Sequence, residues 1–283
     1  MSYPGLPVSF DPSAFITKKA FLPFLDSLFD ILCCLFIVLI SLSSYSQEIL
    51  AEPKAYGWSG GINSCQFCSI DLDLDGINDL LIFDRHGNRK LPFLFNGLSG
   101  TLDYSLEPAL AEKLPDLHDW VITADYNHDG RMDIFTYSNG GARIFRNTSD
   151  TALSFALVTD LLVSWYYTGY VGILITSVDY PAITDIDGDG DLDLLTFFGL
   201  GSWVEYHRNL SVEKYGHPDT LDFRLEDLCW GKFKESEGSN KITLNADCPY
   251  NKGGEMFTDG PKHTGSTMLA TDLNGDGLMD LIL

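Results

Sequence analysis

The sequence is organised around the nonapeptide Asp185-Ile-Asp-Gly-Asp-Gly-Asp-Leu-Asp193, whose acidic pattern occurs four times in the chain. The other copies are DLDLDGIND at 71–79, DYNHDGRMD at 125–133 and DLNGDGLMD at 272–280. In chain order we name them the first to fourth acidic loops. All read D-x-[DN]-x-D-G-x-x-D, so side-chain oxygens recur at alternate positions and glycine is sixth. Ca²⁺ prefers such oxygen ligands, and glycine permits the sharp turn. The pattern predicts a repeat protein built on calcium loops.

The residues around each loop indicate strands rather than helices. An EF-hand needs a glutamate at loop position twelve and a helix on each side, but this position holds Ile82, Thr136, Thr196 and Leu283. Each loop is instead followed by a short apolar, partly β-branched run, which is typical of a strand. These runs are Leu80–Phe83, Ile134–Tyr137, Leu194–Phe197 and Leu281–Leu283. We therefore interpret each unit as strand, calcium loop, strand.

The spacing of the loops predicts the architecture. Consecutive loops begin 54, 60 and 87 residues apart, at Asp71, Asp125, Asp185 and Asp272. A period near 50 residues leaves room for four short strands, as in a propeller blade. The longest spacing predicts an insertion of roughly 30 residues within 211–261, relative to its neighbours. We expect an all-β chain whose residues 47–283 form a partial β-propeller with about three blades and the start of a fourth.

These strand–loop–strand units resemble FG-GAP and VCBS repeats, the calcium-loop blades of integrin-alpha-type β-propellers and of many bacterial surface proteins. The resemblance covers about 65–283 and favours a bacterial protein. The chain stops at Leu283 within a predicted strand, and a closed ring needs further blades, so we expect a fragment. It implies that loop positions one, three, five and nine bind calcium through side chains and position seven through its carbonyl. The implied metal ligands are Asp71, Asp73, Asp75, Ile77 and Asp79; Asp125, Asn127, Asp129, Arg131 and Asp133; Asp185, Asp187, Asp189, Asp191 and Asp193; Asp272, Asn274, Asp276, Leu278 and Asp280.

The N-terminus carries the features of a targeting segment. Lys18 and Lys19 precede an apolar run, Ile31–Leu42, that is 12 residues long. This length fits the central region of a signal peptide and is short for a membrane-spanning helix. Small residues at Ser44–Ser46 provide a cleavage site, so residues 1–46 are predicted to be a signal peptide, with an uncleaved signal anchor as the alternative. We expect a secreted or cell-surface protein that meets the membrane only through this segment.

The six cysteines divide into three pairs by position. Cys33 and Cys34 lie inside the targeting segment. Cys229 and Cys248 bracket part of the predicted insertion and are the disulfide candidates, because an exported protein folds in an oxidising compartment. Cys65 and Cys68 have the CxxC spacing, without the helix N-terminus that would activate a thiolate or a second CxxC for zinc. For this last pair we expect either a local disulfide or two free thiols.

The charge composition limits the classes of function that we expect for the chain. The chain has 40 acidic and 18 basic residues, and 15 of the acids lie in the four loops. No basic stripe exists to meet phosphate, so we expect no nucleic-acid binding. We expect a binding or adhesion scaffold in which calcium is structural and an extracellular protein or glycan is the partner. Two sequons, Asn147–Ser149 and Asn209–Ser211, are expected to be unmodified turn residues in a bacterial protein.

Enzymatic activity is not expected from the sequence. The GxSxG string at Gly57–Gly61 lacks the preceding strand and following helix of a nucleophile elbow. The six histidines show no metalloprotease spacing. The acids outside the loops that could serve a glycosidase are Asp84, Asp116, Asp119 and Glu205. The alternative function is a non-catalytic propeller part of a carbohydrate-active or other extracellular enzyme.

Overall fold

The computed structural model describes residues 61–97, 103–199, 202–236, 239, 241–248 and 267–283, all of which belong to one compact unit, Ala55–Leu283. Three features predicted from the sequence lie wholly or partly outside these residues. They are the targeting segment 1–46, the GxSxG string except for its last residue, Gly61, and parts of 211–261. In the part of the chain that the structure describes, no helix is both long and apolar enough to cross a membrane. The described residues are mostly β-strands with one short α-helix, in agreement with the all-β prediction.

The first sheet has four antiparallel strands in chain order. They are β1 (Cys65–Ile70), β2 (Asp79–Asp84), β3 (Arg89–Phe95) and β4 (Tyr104–Leu106). The middle residues of β2, Leu81, Ile82 and Phe83, are apolar and buried, so both faces of this strand are covered. The first acidic loop joins β1 to β2, so it is the turn of a hairpin.

The second sheet repeats this arrangement. It contains β5 (Val121–Ala124), β6 (Asp133–Ser138), β7 (Gly141–Asn147) and β8 (Phe155–Thr159), again antiparallel and in chain order. A 3₁₀ turn at Pro108–Glu112 lies between the two sheets in sequence. The second acidic loop joins β5 to β6, as the first loop joins β1 to β2.

The third sheet has two strands more than a four-stranded blade. Its blade strands are β11 (Ala182–Thr184), β12 (Asp193–Phe197), β13 (Val204–Asn209) and β14 (Phe223–Asp227). The hairpin of β9 (Val163–Tyr166) and β10 (Gly169–Gly172) adds to their outer edge, giving the order β10-β9-β14-β13-β12-β11. Strand β9 pairs with β14 in parallel, and the other neighbours are antiparallel. The sequence spacing did not predict this added hairpin.

The region that was predicted to contain an insertion is partly used by the third sheet. Helix α1 (Ser211–Tyr215) and β14 follow β13 directly. Beyond them, β15 (Phe233–Glu235) and β16 (Ile242–Leu244) form a separate hairpin, and a disulfide joins Cys229 to Cys248. The last hairpin pairs β17 (Leu269–Thr271) with β18 (Asp280–Ile282) around the fourth acidic loop.

Three hydrophobic clusters hold consecutive sheets face to face. Phe83 of the first sheet packs with Ile134 of the second, and Phe135 of the second packs with Leu194 of the third. Phe197 of the third sheet packs with Met268 beside the last hairpin. The first strands β1, β5, β11 and β17 contact one another in sequence order. This stacking is that of propeller blades, confirming the predicted architecture, and the described residues do not close a ring.

The cysteines of the CxxC pair are both free thiols in different environments. Cys68 is 4% exposed and donates to the carbonyl of Val121 at 3.5 Å, whereas Cys65 is half-buried. Burial raises the pKa of the Cys68 thiol to about 12. We expect a maleimide to label Cys65 in the native protein and Cys68 only after unfolding, since the thiolate is the nucleophile. Peptide mapping of the labelled protein checks this, and equal labelling of both thiols would contradict it.

Candidate metal centres in the acidic loops

Each acidic loop connects the first two strands of its blade, which in the third sheet are β11 and β12. The ninth residue of every loop is the first residue of the second strand, opposite the residue that precedes the loop. The pairs are Ile70 with Asp79, Ala124 with Asp133, Thr184 with Asp193, and Thr271 with Asp280. Because both ends of a loop are fixed by strand pairing, its acidic side chains are held within a short turn.

The first aspartate of each loop closes the turn. Its Oδ2 accepts a hydrogen bond from the N–H of the sixth-position glycine, at 2.9, 2.8, 3.1 and 2.9 Å in chain order. These glycines have positive φ angles between 84° and 98°: Gly76 88°, Gly130 85°, Gly190 98° and Gly277 84°. A side chain would be strained in this conformation. The structure therefore explains the aspartate at position one and the glycine at position six, which all four loops share.

The fourth position also requires a left-handed backbone, which the sequence pattern did not reveal. Loops three and four have glycine there, Gly188 and Gly275, with φ of 78° and 77°. Loops one and two have Leu74 and His128 there, with φ of 68° and 55°. Left-handed φ is uncommon for residues other than glycine. Loops one and two thus store local backbone strain that loops three and four avoid.

The ninth aspartate connects the loop to the rest of its sheet. Its Oδ2 accepts from the N–H of the second loop residue, at 2.8, 3.2, 3.0 and 3.1 Å in chain order. In the first three loops its Oδ1 also accepts from an N–H at the end of the third strand, at 2.8, 2.7 and 2.8 Å. The donors are Phe95, Asn147 and Asn209. One carboxylate thus joins loop start, second strand and third strand.

Burial raises the pKa values of the ninth-position carboxyls in the first three loops. Asp79 is 4% exposed, and Asp133 and Asp193 are 0% exposed. Burial raises the pKa of Asp133 to about 6 and that of Asp193 to about 7, although the backbone hydrogen bonds oppose the shift. A buried charge without a counter-ion is unfavourable, so protonation is favoured. A bound cation would provide the missing opposite charge.

The structure brings together the carboxylates of positions one, three and nine in two of the loops. Oxygens of Asp71, Asp73 and Asp79 lie within 4.8 Å of one another, and so do those of Asp185, Asp187 and Asp193. Three adjacent carboxylates repel, and an all-oxygen donor set suits a hard cation. These residues therefore fit a metal ion. In loops two and four the third position is an amide, Asn127 and Asn274, and the described residues form no such group of three acids there.

The predicted ligands at positions five and seven have other contacts. The carboxylates of Asp75, Asp129, Asp189 and Asp276 accept the N–H of the seventh residue at 2.7, 3.0, 3.1 and 2.8 Å. None of them belongs to the groups formed by positions one, three and nine. At position seven of loop two, the Arg131 guanidinium pairs with Asp129 at 2.8 Å. That loop therefore has an internal cation that the other loops lack at this position.

Two asparagines position the loops, and the sequence reasoning missed this role. Asn147 and Asn209 are 3% and 1% exposed. Their Nδ2 groups donate to the carbonyls of Met132 and Leu192, the eighth residues of loops two and three, at 3.1 and 3.3 Å. The repeated Arg-Asn at the ends of β7 and β13 was the available signal. These asparagines are also the sequon residues, and their amide nitrogens are buried and engaged.

Replacing Asn209 with alanine should therefore destabilise the third sheet. The change leaves the partly buried Leu192 carbonyl and the buried Asp222 N–H without their partners. An unsatisfied buried polar group costs about 1–3 kcal/mol, so we expect a loss of that order in the free energy of unfolding. Urea denaturation of Asn209→Ala measures it. Asn96→Ala, at an exposed amide of the first sheet, is the matched control, and an equal loss in both variants would contradict the positioning role.

The acids outside the loops have structural partners. Asp84 is buried, and the Arg89 guanidinium and three backbone N–H groups hold its pKa down to about 2. Glu205 lies in a buried network in which His207 is 2.9 Å from the Ser164 hydroxyl and 3.3 Å from the Glu205 carboxylate. Asp116 pairs with His118 at 2.8 Å on the exposed surface. The Asp119 carbonyl accepts from Arg85 at 2.6 Å.

Comparisons with known proteins agree with this geometry. The sequence model of the FG-GAP-like repeat matches residues 71–136 and 125–196. Each match thus begins at the first aspartate of one acidic loop and ends just after the next loop. No curated protein sequence matches the chain.

A solved structure described as an Agrocybe aegerita lectin that recognises non-reducing terminal N-acetylglucosamine is similar at 18% identity, with a TM-score of 0.40. The alignment covers 80% of this chain and 49% of that one, so the chain spans about half the length of the lectin. The repeat match and the blade-like sheets, rather than the similarity to the lectin, identify the repeats. Over residues 71–196 the chain therefore consists of FG-GAP-like repeats.

Proposed function

We propose that this chain is an exported β-propeller scaffold that binds other molecules and is stabilised by calcium in its acidic loops. The observation that carries the calcium part is the group of three carboxylates in loops one and three, each including a buried ninth-position aspartate. Calcium in these loops joins the turn to the second and third strands. It stabilises the folded state by mass action, because the unfolded chain does not assemble the ligands. We propose no enzymatic role.

The extracellular location supports the choice of calcium over other hard cations. Calcium reaches millimolar concentrations outside cells, where weak sites of extracellular modules are occupied. The N-terminal apolar run supports export, and the disulfide between Cys229 and Cys248 is of the kind found in oxidising compartments. We therefore place the protein in the medium or on the cell surface.

The binding part of the proposal is supported by exposed aromatic side chains at the outer edge of the third sheet. Trp165, Tyr167 and Tyr170 of the β9–β10 hairpin are 39%, 72% and 56% exposed. Aromatic residues are enriched in protein interfaces, and they also stack on the apolar faces of sugars. The partner in this proposal is an extracellular protein or a glycan.

Calcium titration calorimetry of the full-length chain tests the proposal, with thermal melts of the calcium-loaded and metal-free protein. We expect saturable binding of more than one ion and a lower Tm without calcium. Magnesium at the same concentration is the control, since it favours near-octahedral sites rich in water. If calcium produces neither heat nor a change in Tm, the acidic loops are solvated turns and the calcium part of the proposal is wrong.

A further inference from the structure

The guanidinium of Arg208, near the end of β13, lies among the acids of the third acidic loop. Its Nε is 2.5 Å from a carboxylate oxygen of Asp187, and one amino group is 3.3 Å from Asp189. The same amino group pairs with Glu213, which helix α1 places beside the loop. Asp187 and Asp189 are the third and fifth residues of this loop, so both are implied metal ligands. A cation of the protein thus contacts two carboxylates that a metal ion would use.

The equivalent positions of the first two blades do not place a cation in this way. Leu94, Arg146 and Arg208 each precede the residue whose N–H binds the ninth aspartate of its loop. Leu94 is uncharged, and the ion pairs among the described residues include none with an acid of loop one. The Arg146 guanidinium lies over the ring of Tyr126, 5.7 Å from its centroid. The ion pairs of Arg208 therefore distinguish loop three from loop one, although both have the same group of three acids.

The charge of Arg208 has opposite effects on the metal-free and the metal-bound loop. Oxygens of Asp187, Asp189 and Glu213 lie within 4.8 Å of one another, a distance at which like charges repel. Without metal, the guanidinium offsets this repulsion, whereas the acids of loop one have no such partner among the described residues. A divalent ion at the same carboxylates is repelled by the guanidinium, because both are positively charged. Arg208 therefore stabilises loop three without metal and opposes the binding of metal there.

We propose that Arg208 determines the metal dependence of loop three by acting as its internal counter-cation. In the metal-free protein it pairs with Asp187 and Asp189, and it leaves these carboxylates when calcium binds them. Loop one, with Leu94 at the equivalent position, depends on the metal and is occupied at a lower calcium concentration than loop three. Two loops with the same three acids thus respond to different ranges of calcium. This inference rests on the proposed calcium binding by the loops.

Calcium titration calorimetry and metal-free thermal melts of the full-length chain test this role through the variant Arg208→Gln. We expect one calcium ion to bind about fivefold or more tightly than in the unmodified chain, because the competing charge is gone. We expect the metal-free Tm to fall by about 2–4 °C, since partly exposed ion pairs add modest stability. Arg224→Gln is the matched control: Arg224 lies opposite Arg208 on β14 but pairs with Glu226. Both values should stay close to those of the unmodified chain in the control.

A second variant, Arg208→Lys, keeps the charge but loses the planar fork that contacts several carboxylates at once. It should change calcium affinity and metal-free Tm in the same directions as Arg208→Gln and by less, and it serves where the glutamine variant does not fold. If the unmodified chain binds no calcium, the proposed function fails and this inference fails with it. If the unmodified chain binds calcium and the Arg208 variants bind it equally or more weakly, only the inference about Arg208 is wrong.

Discussion

The variant Asp193→Ala is expected to lose about 3–5 kcal/mol of the free energy of unfolding in calcium. The carboxylate accepts from the N–H of Ile186 at 3.0 Å, from the N–H of Asn209 at 2.8 Å and from the Tyr206 hydroxyl at 3.0 Å. Each buried donor left without a partner costs about 1–3 kcal/mol. The third loop also loses a ligand and thus part of the stabilisation that calcium gives.

Denaturant melts in calcium and in metal-free buffer separate these two contributions. The loss of hydrogen bonds persists in both buffers, whereas the loss of calcium binding appears only in calcium. Asp75→Ala is the control, because its exposed carboxylate accepts from the N–H of Ile77 and, among the described residues, from no other donor. In metal-free buffer we expect the control to change stability by less than about 1 kcal/mol. If Asp193→Ala is as mild as the control in that buffer, the ninth carboxylate does not join the strands as described.

The effect of removing calcium is expected to grow as pH rises from 5 to 8. The folded-state pKa of about 6 for Asp133 and about 7 for Asp193 lies above the unfolded value near 3.9. The metal-free folded state therefore binds more protons than the unfolded state between about pH 4 and 7. That stabilisation is fully present below pH 4 and is lost as pH rises through 6 and 7. In the proposed function, calcium replaces the protons as the partner of the carboxylates.

Thermal melts at pH 5, 6, 7 and 8 measure this dependence on calcium-loaded protein and on protein freed of metal by chelating resin. Occupancy at 100 times Kd adds about 2.7 kcal/mol for each site. One kcal/mol shifts the Tm of a domain of this size by about 2–4 °C. For two occupied loops we expect a difference of about 10 °C or more at pH 8 and a much smaller one at pH 5. A metal-free Tm that rises across this range would contradict the assignment of the buried carboxyls.

The strand–loop–strand units were predictable because their chemistry is local. The ligands of one loop lie within nine residues, and the hydrogen bonds of Asp71 and Asp73 connect residues two to five positions apart. The short apolar run after each loop likewise reflects one strand and its immediate environment. Four copies of such a signal predicted a strand–loop–strand unit at each acidic loop, and each loop does join two paired strands.

The β9–β10 hairpin was not predictable in the same way. The position of this hairpin in the third sheet depends on its pairing with β14, which follows β9 by about 60 residues. Parallel pairing leaves no turn signal in the sequence, because the partners are far apart in the chain. The insertion was predicted only from the spacing of 87 residues between loops three and four, whereas the added hairpin lies between loops two and three.

The role of each acid also depended on distance along the chain. The sequence alone identified Asp193 as a loop residue, but its burial follows from β13 and Tyr206, which cover it from 13 to 16 residues away. Glu213 carries no motif, and only the turn from β13 into α1 brings it beside Asp187. Nonapeptide chemistry is thus readable from residue order, since neighbours in sequence must be neighbours in space. Burial, and with it the pKa and the cation partners of each carboxylate, arises from strands packed together by the fold.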